Sequence, residues 1–117
     1  MKLDIETKKI EASIDQTGIG WLIFNNPDRH NALSLEMWKG IGDAFEQFND
    51  ASDVRAVIMR GAGGKAFVSG ADISEFDKER ANALQRETYG EVAGRATHWL
   101  NKFEKPLIAL VEGYCIG

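Results

Sequence analysis

The sequence predicts an α/β protein whose extended segments and helices follow the order β-β-α-β-α-β. Three observations support this fold class. Apolar residues recur at helical spacing in residues 34–48 and again in residues 80–103. Short apolar, β-branched segments bounded by turn residues lie before, between and after those two stretches. The strand–helix–strand spacing is typical of a right-handed βαβ unit.

The first element is a predicted β-hairpin. Residues 11–15 and 20–25 flank a turn at residues 16–19, and the second arm is the more apolar of the two. Pro27 ends the second strand, so residues 26–31 are expected to form a loop.

Two helices are predicted. Ser34 is the expected N-cap of the first helix. Its apolar stripe is Trp38, Ile41, Phe45 and Phe48. Gly40 and Gly42 each weaken this helix by roughly 1 kcal/mol relative to alanine, so packing must hold it. The second helix, about residues 80–103, has Val92, Ala96, Trp99 and Phe103 on one face, and its expected solvated face includes Arg86, Glu87, Glu91 and Arg95.

Two further strands complete the pattern. Residues 54–59 are short, β-branched and bounded by turns, which predicts a buried strand. Residues 106–112 predict a second buried strand, which Pro106 introduces. A short helical turn is expected from Asp72 to about residue 76. The chain is expected to be one piece of a longer domain, because a strand entering a glycine turn is normally followed by an element that covers it.

Composition excludes several classes of function. The chain has 117 residues, a hydrophobic content of 44% and a formal net charge of −4. Lys and Arg are scattered, which argues against nucleic-acid binding, and no apolar run is long enough to span a bilayer. The sequence has no CxxC pair and no His cluster, so no metal site is predicted. It also has no dinucleotide fingerprint, P-loop or nucleophile elbow, which argues against nucleotide binding and against a hydrolase with that elbow. The single Cys115 and the polar N-terminus favour a cytoplasmic protein.

The most informative segment for function is the turn at residues 67–73. Its small residues lie between a predicted strand and a predicted helix, where free backbone N–H groups and the helix dipole favour negative charge on a ligand oxygen. Gly70 permits close approach of a ligand, and Ala71 offers an N–H with little bulk. The alternative is a tight turn without a ligand, and the residues alone leave the two interpretations level.

Other candidate groups have simpler interpretations. The glycine-rich residues 61–64 are expected to form a turn rather than a phosphate cradle. Asp72 is expected to cap a helix rather than act as a base. His98 and, less clearly, His30 are expected to be surface histidines, and Glu112 has no evident partner.

Four blocks of the sequence decide between these interpretations by resemblance. They are residues 26–33 (NPDRHNAL), 54–61 (VRAVIMRG), 65–73 (KAFVSGADI) and 105–114 (KPLIALVEGY). In order and spacing they resemble the crotonase, or enoyl-CoA hydratase/isomerase, superfamily, and the match covers essentially the whole chain. The resemblance implies a spiral of β-β-α turns, of which residues 1–117 would form the N-terminal portion, ending inside the glycine run of the active site.

The resemblance also implies functional roles. The backbone N–H of Ala71 would be one donor of an oxyanion hole for an acyl-CoA thioester. Gly117 would begin the glycine run whose next residue carries the second donor, and the acid–base residues would lie further on. Contacts to coenzyme A are implied for Ser69, Gly70, Asp72, Ile73, Ala32, Arg29 and His30. Ser69 stands where alanine is common, and Asp28 stands where a basic residue is common.

The expected function is therefore acyl-CoA chemistry, most simply syn hydration of a 2-enoyl-CoA. Isomerase, lyase and hydrolase activities of the same family stay open, as do a non-catalytic CoA-binding module and a flavodoxin-like domain. No separate cofactor is expected, because coenzyme A is part of the substrate. The resemblance further implies a homotrimer or a dimer of trimers for the full-length protein.

Overall fold

The structure is a computed structural model that describes residues 1–72 and 83–117. It contains strands β1 (Ile10–Ile14), β2 (Ile19–Phe24), β3 (Ala56–Gly61), β4 (Ala66–Val68), β5 (Leu107–Leu110) and β6 (Tyr114–Cys115). The helices are a 3-10 turn (Pro27–Arg29), α1 (Leu35–Asp50) and α2 (Ala83–Lys102). The main sheet has the order β1-β2-β3-β5, and β4 pairs with β6 in a separate small sheet.

The predicted hairpin is confirmed. Strands β1 and β2 are antiparallel, and β2, β3 and β5 are parallel to one another. Asp15 organises the hairpin turn, since its carboxylate accepts hydrogen bonds from the Thr17 hydroxyl, the Trp21 indole and the Ile19 amide. These hydrogen bonds stabilise the charged carboxylate and lower the pKa of Asp15 below its ordinary value. The bond from the Thr17 side chain has the largest effect.

Helix α1 covers one face of the main sheet. Ser34 caps it as predicted, accepting a hydrogen bond from the Met37 amide at 3.3 Å. The predicted stripe is confirmed for Ile41, Phe45 and Phe48, which are almost fully buried, while Trp38 is half-buried against the same core. The glycines in α1 allow close packing, because a Cβ on Gly40 would lie 3.1 Å from Cγ1 of Ile10.

Helix α2 packs on α1. Its predicted inner face is confirmed, with Ala96 fully buried and the rings of Phe45 and Phe103 5.1 Å apart. Arg95, predicted to be solvated, has a side chain that is 39% exposed, and its guanidinium also donates to Asp43 at 2.8 Å and to Glu46. Both carboxylates lie on α1, so Arg95 joins the two helices, and they raise its pKa. The predicted start of this helix, near residue 80, and the short helical turn after Asp72 lie outside the described residues.

Two strand predictions were wrong in their bounds, and two strands were missed. The pairing of β3 begins two residues later than predicted, because the Val54 amide closes the turn after α1 by donating to Ala51. The last strand pairs only from Leu107 to Leu110, and its outer side chains are exposed rather than buried. Strands β4 and β6 were not predicted, since runs of three and two residues show no periodicity. None of the described helices is long and apolar enough to cross a membrane.

Candidate functional site

Two glycine-containing turns meet beside the β4–β6 sheet. The first, residues 69–72, follows β4, and the second, residues 113–117, contains β6. The Ile116 N–H donates to the carbonyl of Val68 at 2.9 Å. A Cβ added to Gly117 would lie 3.0 Å from the Cα of Gly70, so the two backbones are in contact. The structure thus brings together the two segments for which the resemblance implied oxyanion-hole roles.

The backbone of Gly70 and Gly117 explains why small residues occur here. Their φ angles are 109° and 97°, in the region that residues with a side chain rarely adopt. Any side chain on Gly117 would also push against Gly70. Glycine at both positions therefore lets the turns approach closely and leaves open space in front of their backbone.

Among residues 1–72 and 83–117, the backbone N–H of Ala71 has no acceptor. Leu33 flanks it in a parallel bridge, donating to the Gly70 carbonyl at 2.8 Å and accepting from the Asp72 amide at 2.9 Å. In a parallel ladder the residue between those two bonds directs its own N–H to the opposite side. Ala71 is exposed, and within the described part of the chain its N–H donates to no protein acceptor. A fixed, unused donor is what stabilisation of a ligand oxyanion requires.

The loop before α1 supports this turn. The Ser69 hydroxyl donates to the Arg29 carbonyl at 3.3 Å, and the Arg29 guanidinium lies 4.0 Å from the buried carboxylate of Asp72. The Arg29 side chain is 58% exposed, so donors remain for another anion. Arg29, Ser69 and Asp72 are therefore neighbours, although they are up to 43 residues apart in the sequence.

The remaining residues predicted to contact coenzyme A differ in how exposed they are. The His30 ring is exposed and lies perpendicular to the ring of Tyr114, with ring centroids 5.8 Å apart. Ala32 is buried, and its carbonyl accepts a hydrogen bond from Asn26 at 2.9 Å. Ile73 lies outside the described residues. His98 is exposed, as predicted.

Sequence reasoning missed Asn31, which organises the loop. Asn31 is fully buried in a left-handed conformation with φ of 58°. Its side-chain nitrogen donates to the backbone carbonyls of Ala62 and Ala66 at 3.0 and 2.8 Å. Its side-chain oxygen accepts from the backbone N–H of Asn26 at 2.8 Å. The available signal was an asparagine in a loop, a residue that tolerates this backbone conformation.

Two pockets lie among the loops, strands and helices described above. A cleft of about 160 Å³ lies between residues 27–31 and 62–66, with Asp28, His30 and Lys65 in its wall. An apolar cavity of about 210 Å³ is lined by side chains of the core, β4 and α2, and it reaches Gly117. Among residues 1–72 and 83–117, no group of three His, Cys, Asp or Glu side chains could hold a metal ion.

Comparison with known proteins identifies the family. The family model described as enoyl-CoA hydratase/isomerase matches residues 19–117. The chain is 37% identical over 93 residues to a short-chain-enoyl-CoA hydratase of Clostridium acetobutylicum, covering 80% of the chain and 35% of that protein. It is 34% identical to a mitochondrial 3-hydroxyisobutyryl-CoA hydrolase of Mus musculus, and the match covers 100% of the chain and 31% of that protein.

The chain belongs to the enoyl-CoA hydratase/isomerase family. Solved structures agree. An enoyl-CoA hydratase/carnithine racemase from Magnetospirillum magneticum superimposes with a TM-score of 0.84 at 41% identity, over 92% of this chain and 40% of that one. A putative enoyl-CoA hydratase/isomerase family protein from Hyphomonas neptunium superimposes with a TM-score of 0.87 at 33% sequence identity, over 97% of this chain and 43% of that one.

Family membership settles the fold class and shows that the flavodoxin-like alternative is wrong. The chain spans about a third of the length of the two curated relatives described above. The turns at residues 69–72 and 113–117 thus belong to an enoyl-CoA hydratase/isomerase fold of which this chain covers a part.

Proposed function

We propose that this chain supplies the first oxyanion donor and part of the coenzyme A contact surface of an acyl-CoA enzyme, and that its reaction is syn hydration of a 2-enoyl-CoA. The relatives support this choice through their names. One is a short-chain-enoyl-CoA hydratase and another a crotonyl-CoA hydratase, while the hydrolase and isomerase relatives also act on acyl-CoA.

The observation that carries the proposal is the unused N–H of Ala71. Addition of water to an enoyl thioester moves negative charge onto the thioester oxygen. A backbone donor that is already fixed needs no reorganisation when that charge develops. Leu33 fixes the flanking residues Gly70 and Asp72 by hydrogen bonds, so the Ala71 amide is preorganised. The second donor would come from the glycine run that Gly117 begins.

Binding of coenzyme A is proposed for the surface around this turn. Arg29 has an exposed guanidinium, which suits a phosphate, and its carbonyl holds Ser69. His30 lies next to it in the loop. The resemblance places Ser69, Gly70, Asp72, Ile73 and Ala32 in the same proposed surface. Two further proposals are a cytoplasmic protein, which the single Cys115 favours, and a homotrimer or dimer of trimers, which the resemblance implies.

Replacing Ala71 by proline tests the proposal directly. Ala71→Pro removes the N–H without breaking any hydrogen bond that it makes to the described chain. Loss of one oxyanion donor lowers turnover on the order of 100- to 1000-fold. The intact protein should therefore lose that much kcat for crotonyl-CoA hydration, with a much smaller change in KM. Absorbance of the enoyl thioester measures the rate.

The matched control is Ala71→Ser, which adds one oxygen and keeps the N–H. It should retain kcat within about threefold, since it leaves the donor that matters in place. Thermal unfolding of both variants shows whether the turn has kept its structure. Equal activity of a folded Ala71→Pro protein would exclude the Ala71 donor. Binding of crotonyl-CoA by the wild-type protein without any turnover would favour the non-catalytic module instead.

A further inference from the structure

Arg29 contacts the turn that carries Ala71 at both of its ends. Its backbone carbonyl accepts the hydrogen bond from the Ser69 hydroxyl, and its guanidinium lies 4.0 Å from the Asp72 carboxylate. Ser69 and Asp72 are the residues on either side of Gly70 and Ala71. One residue of the loop before α1 therefore contacts the turn just before and just after the proposed oxyanion donor.

The loop holds the backbone of Arg29 in place without help from its side chain. Arg29 ends the 3-10 turn, and its N–H donates to the Asn26 carbonyl at 3.0 Å. Its carbonyl accepts a second hydrogen bond, from the Ala32 N–H at 3.0 Å. A substitution at position 29 can therefore remove the guanidinium and leave the backbone bonds of the loop, and the Ser69 contact, in place.

The Arg29–Asp72 pair joins an accessible cation to a buried carboxylate. The Arg29 side chain is 58% exposed, whereas the Asp72 side chain is 8% exposed. An opposite charge nearby stabilises a buried charge, and salt screens such a pair less than a pair of exposed groups. A separation of 4.0 Å makes this a charge contact and not a short hydrogen bond. The attraction therefore restrains the Asp72 end of the turn through charge, not through bidentate geometry.

We propose that Arg29 is a positioning residue, whose guanidinium restrains Asp72 and thereby keeps the N–H of Ala71 directed at the thioester oxygen. This inference rests on the proposed function and adds to the phosphate contact proposed there, since a guanidinium has five N–H donors and can face two anions. A phosphate contact assists binding of the ground state and the transition state alike. Orientation of the donor matters most when charge develops on the thioester oxygen. The two roles therefore predict different kinetic effects.

Crotonyl-CoA and crotonyl-pantetheine separate the two roles in the intact protein. Both carry the same thioester, but the pantetheine compound lacks the phosphates and the nucleotide of coenzyme A. In Arg29→Gln, kcat for crotonyl-CoA and kcat/KM for crotonyl-pantetheine should each fall about tenfold, because a misplaced donor stabilises the transition state less. Arg29→Lys keeps the positive charge, which is what a charge contact needs, and should retain both constants within about threefold.

Arg55→Gln is the matched control. Arg55 is an exposed cation that precedes β3, whereas the turn at residues 69–72 follows β4. The same substitution at this position should leave kcat and KM for crotonyl-CoA within about twofold of the wild-type values. Thermal unfolding of each variant checks that it is folded at the temperature of the assay.

Asp72→Asn shows whether Arg29 acts through the buried carboxylate. In that background Arg29→Gln should lower kcat less than about twofold further, because the charge that the guanidinium restrains is gone. A tenfold further loss there would overturn the inference. So would an Arg29→Gln protein that loses activity with crotonyl-CoA and keeps it with crotonyl-pantetheine, since only a phosphate contact explains that result. If the wild-type protein hydrates neither thioester, the proposed function itself fails, and this inference fails with it.

Discussion

Asn31 shows how one buried side chain can hold a functional loop in place. It lies next to His30 and two residues after Arg29, and its amide group joins this loop to the carbonyls of Ala62 and Ala66. Ala66 begins β4, which leads into the turn that carries Ala71. Both amide hydrogens and the side-chain oxygen have partners, so the site fits an asparagine and not a carboxylate. The geometry of the Ala71 turn therefore depends partly on Asn31.

Asn31→Asp should destabilise the fold strongly. The substitution keeps the shape but sets a negatively charged oxygen against two carbonyl oxygens in a fully buried site. The expected loss is about 3 kcal/mol or more in the free energy of unfolding at neutral pH, because a buried charge is left without a partner. Urea denaturation of the intact protein measures it.

The pH dependence separates charge from shape in this variant. Burial raises the folded-state pKa of the introduced carboxyl above its unfolded value, so the penalty is full above that folded pKa. The penalty should shrink as the pH falls below the folded-state pKa, because the neutral acid can donate a hydrogen bond. Asn49→Asp, on the exposed end of α1, is the control and should change stability by less than about 0.5 kcal/mol. A penalty for Asn31→Asp that does not change with pH would contradict the charge explanation.

At the scale of the elements, two glycines have opposite consequences. Gly20 lies in β2 under α1, where an added Cβ would lie 2.7 Å from Cε1 of Phe48 and 3.0 Å from Cγ2 of Val57. Gly94 lies in α2, and an added Cβ would meet nothing within 4 Å. The first glycine is therefore required by sheet–helix packing, whereas the second only weakens its helix.

Alanine at these two positions should shift stability in opposite directions. Gly20→Ala should destabilise the protein by about 1–3 kcal/mol, the usual effect of overpacking a core. Gly94→Ala should stabilise it by up to about 1 kcal/mol through helix propensity. Thermal unfolding of both variants measures the difference. Combining Gly20→Ala with Phe48→Leu should cost less than the sum of the two single changes. Additive losses would show that Phe48 is not the obstacle.

The same elements show what sequence reasoning could reach. The cap at Ser34 and the stripe on α1 follow from local periodicity, and both were predicted. The ion pairs of Arg95 were not predicted because its partners lie on another helix, 49 and 52 residues away. Strand β4 exists through its pairing with β6, and Asn31 acts on carbonyls 31 and 35 residues away. Contacts of that range leave no periodic trace. The residues of the turn at Ala71 therefore left a ligand site and a plain turn level, and the family resemblance decided between them.

At the scale of the whole molecule, one edge of the chain is unusually apolar. Ile108, Leu110, Val111, Tyr114 and Ile116 are each more than half exposed, and they cluster on β5, on β6 and beside them. Strand β5 is also an edge strand of the main sheet as far as the described residues show it, with β3 as its one neighbour there. An exposed sheet edge with large apolar side chains is a surface on which other polypeptide segments readily pair.

A polypeptide of residues 1–117 alone should therefore self-associate at micromolar concentration, and sedimentation velocity measures this directly. Replacing both Ile108 and Leu110 by lysine should shift it toward monomer, because charged residues on an edge strand oppose pairing. Leu84→Lys is the matched control: Leu84 on α2 is 73% exposed but lies outside the edge, so this substitution should leave association unchanged. If Leu84→Lys suppresses association as strongly as the double substitution, general charge explains the effect. A monomeric, cooperatively unfolding wild-type polypeptide would show that the apolar edge does not pair.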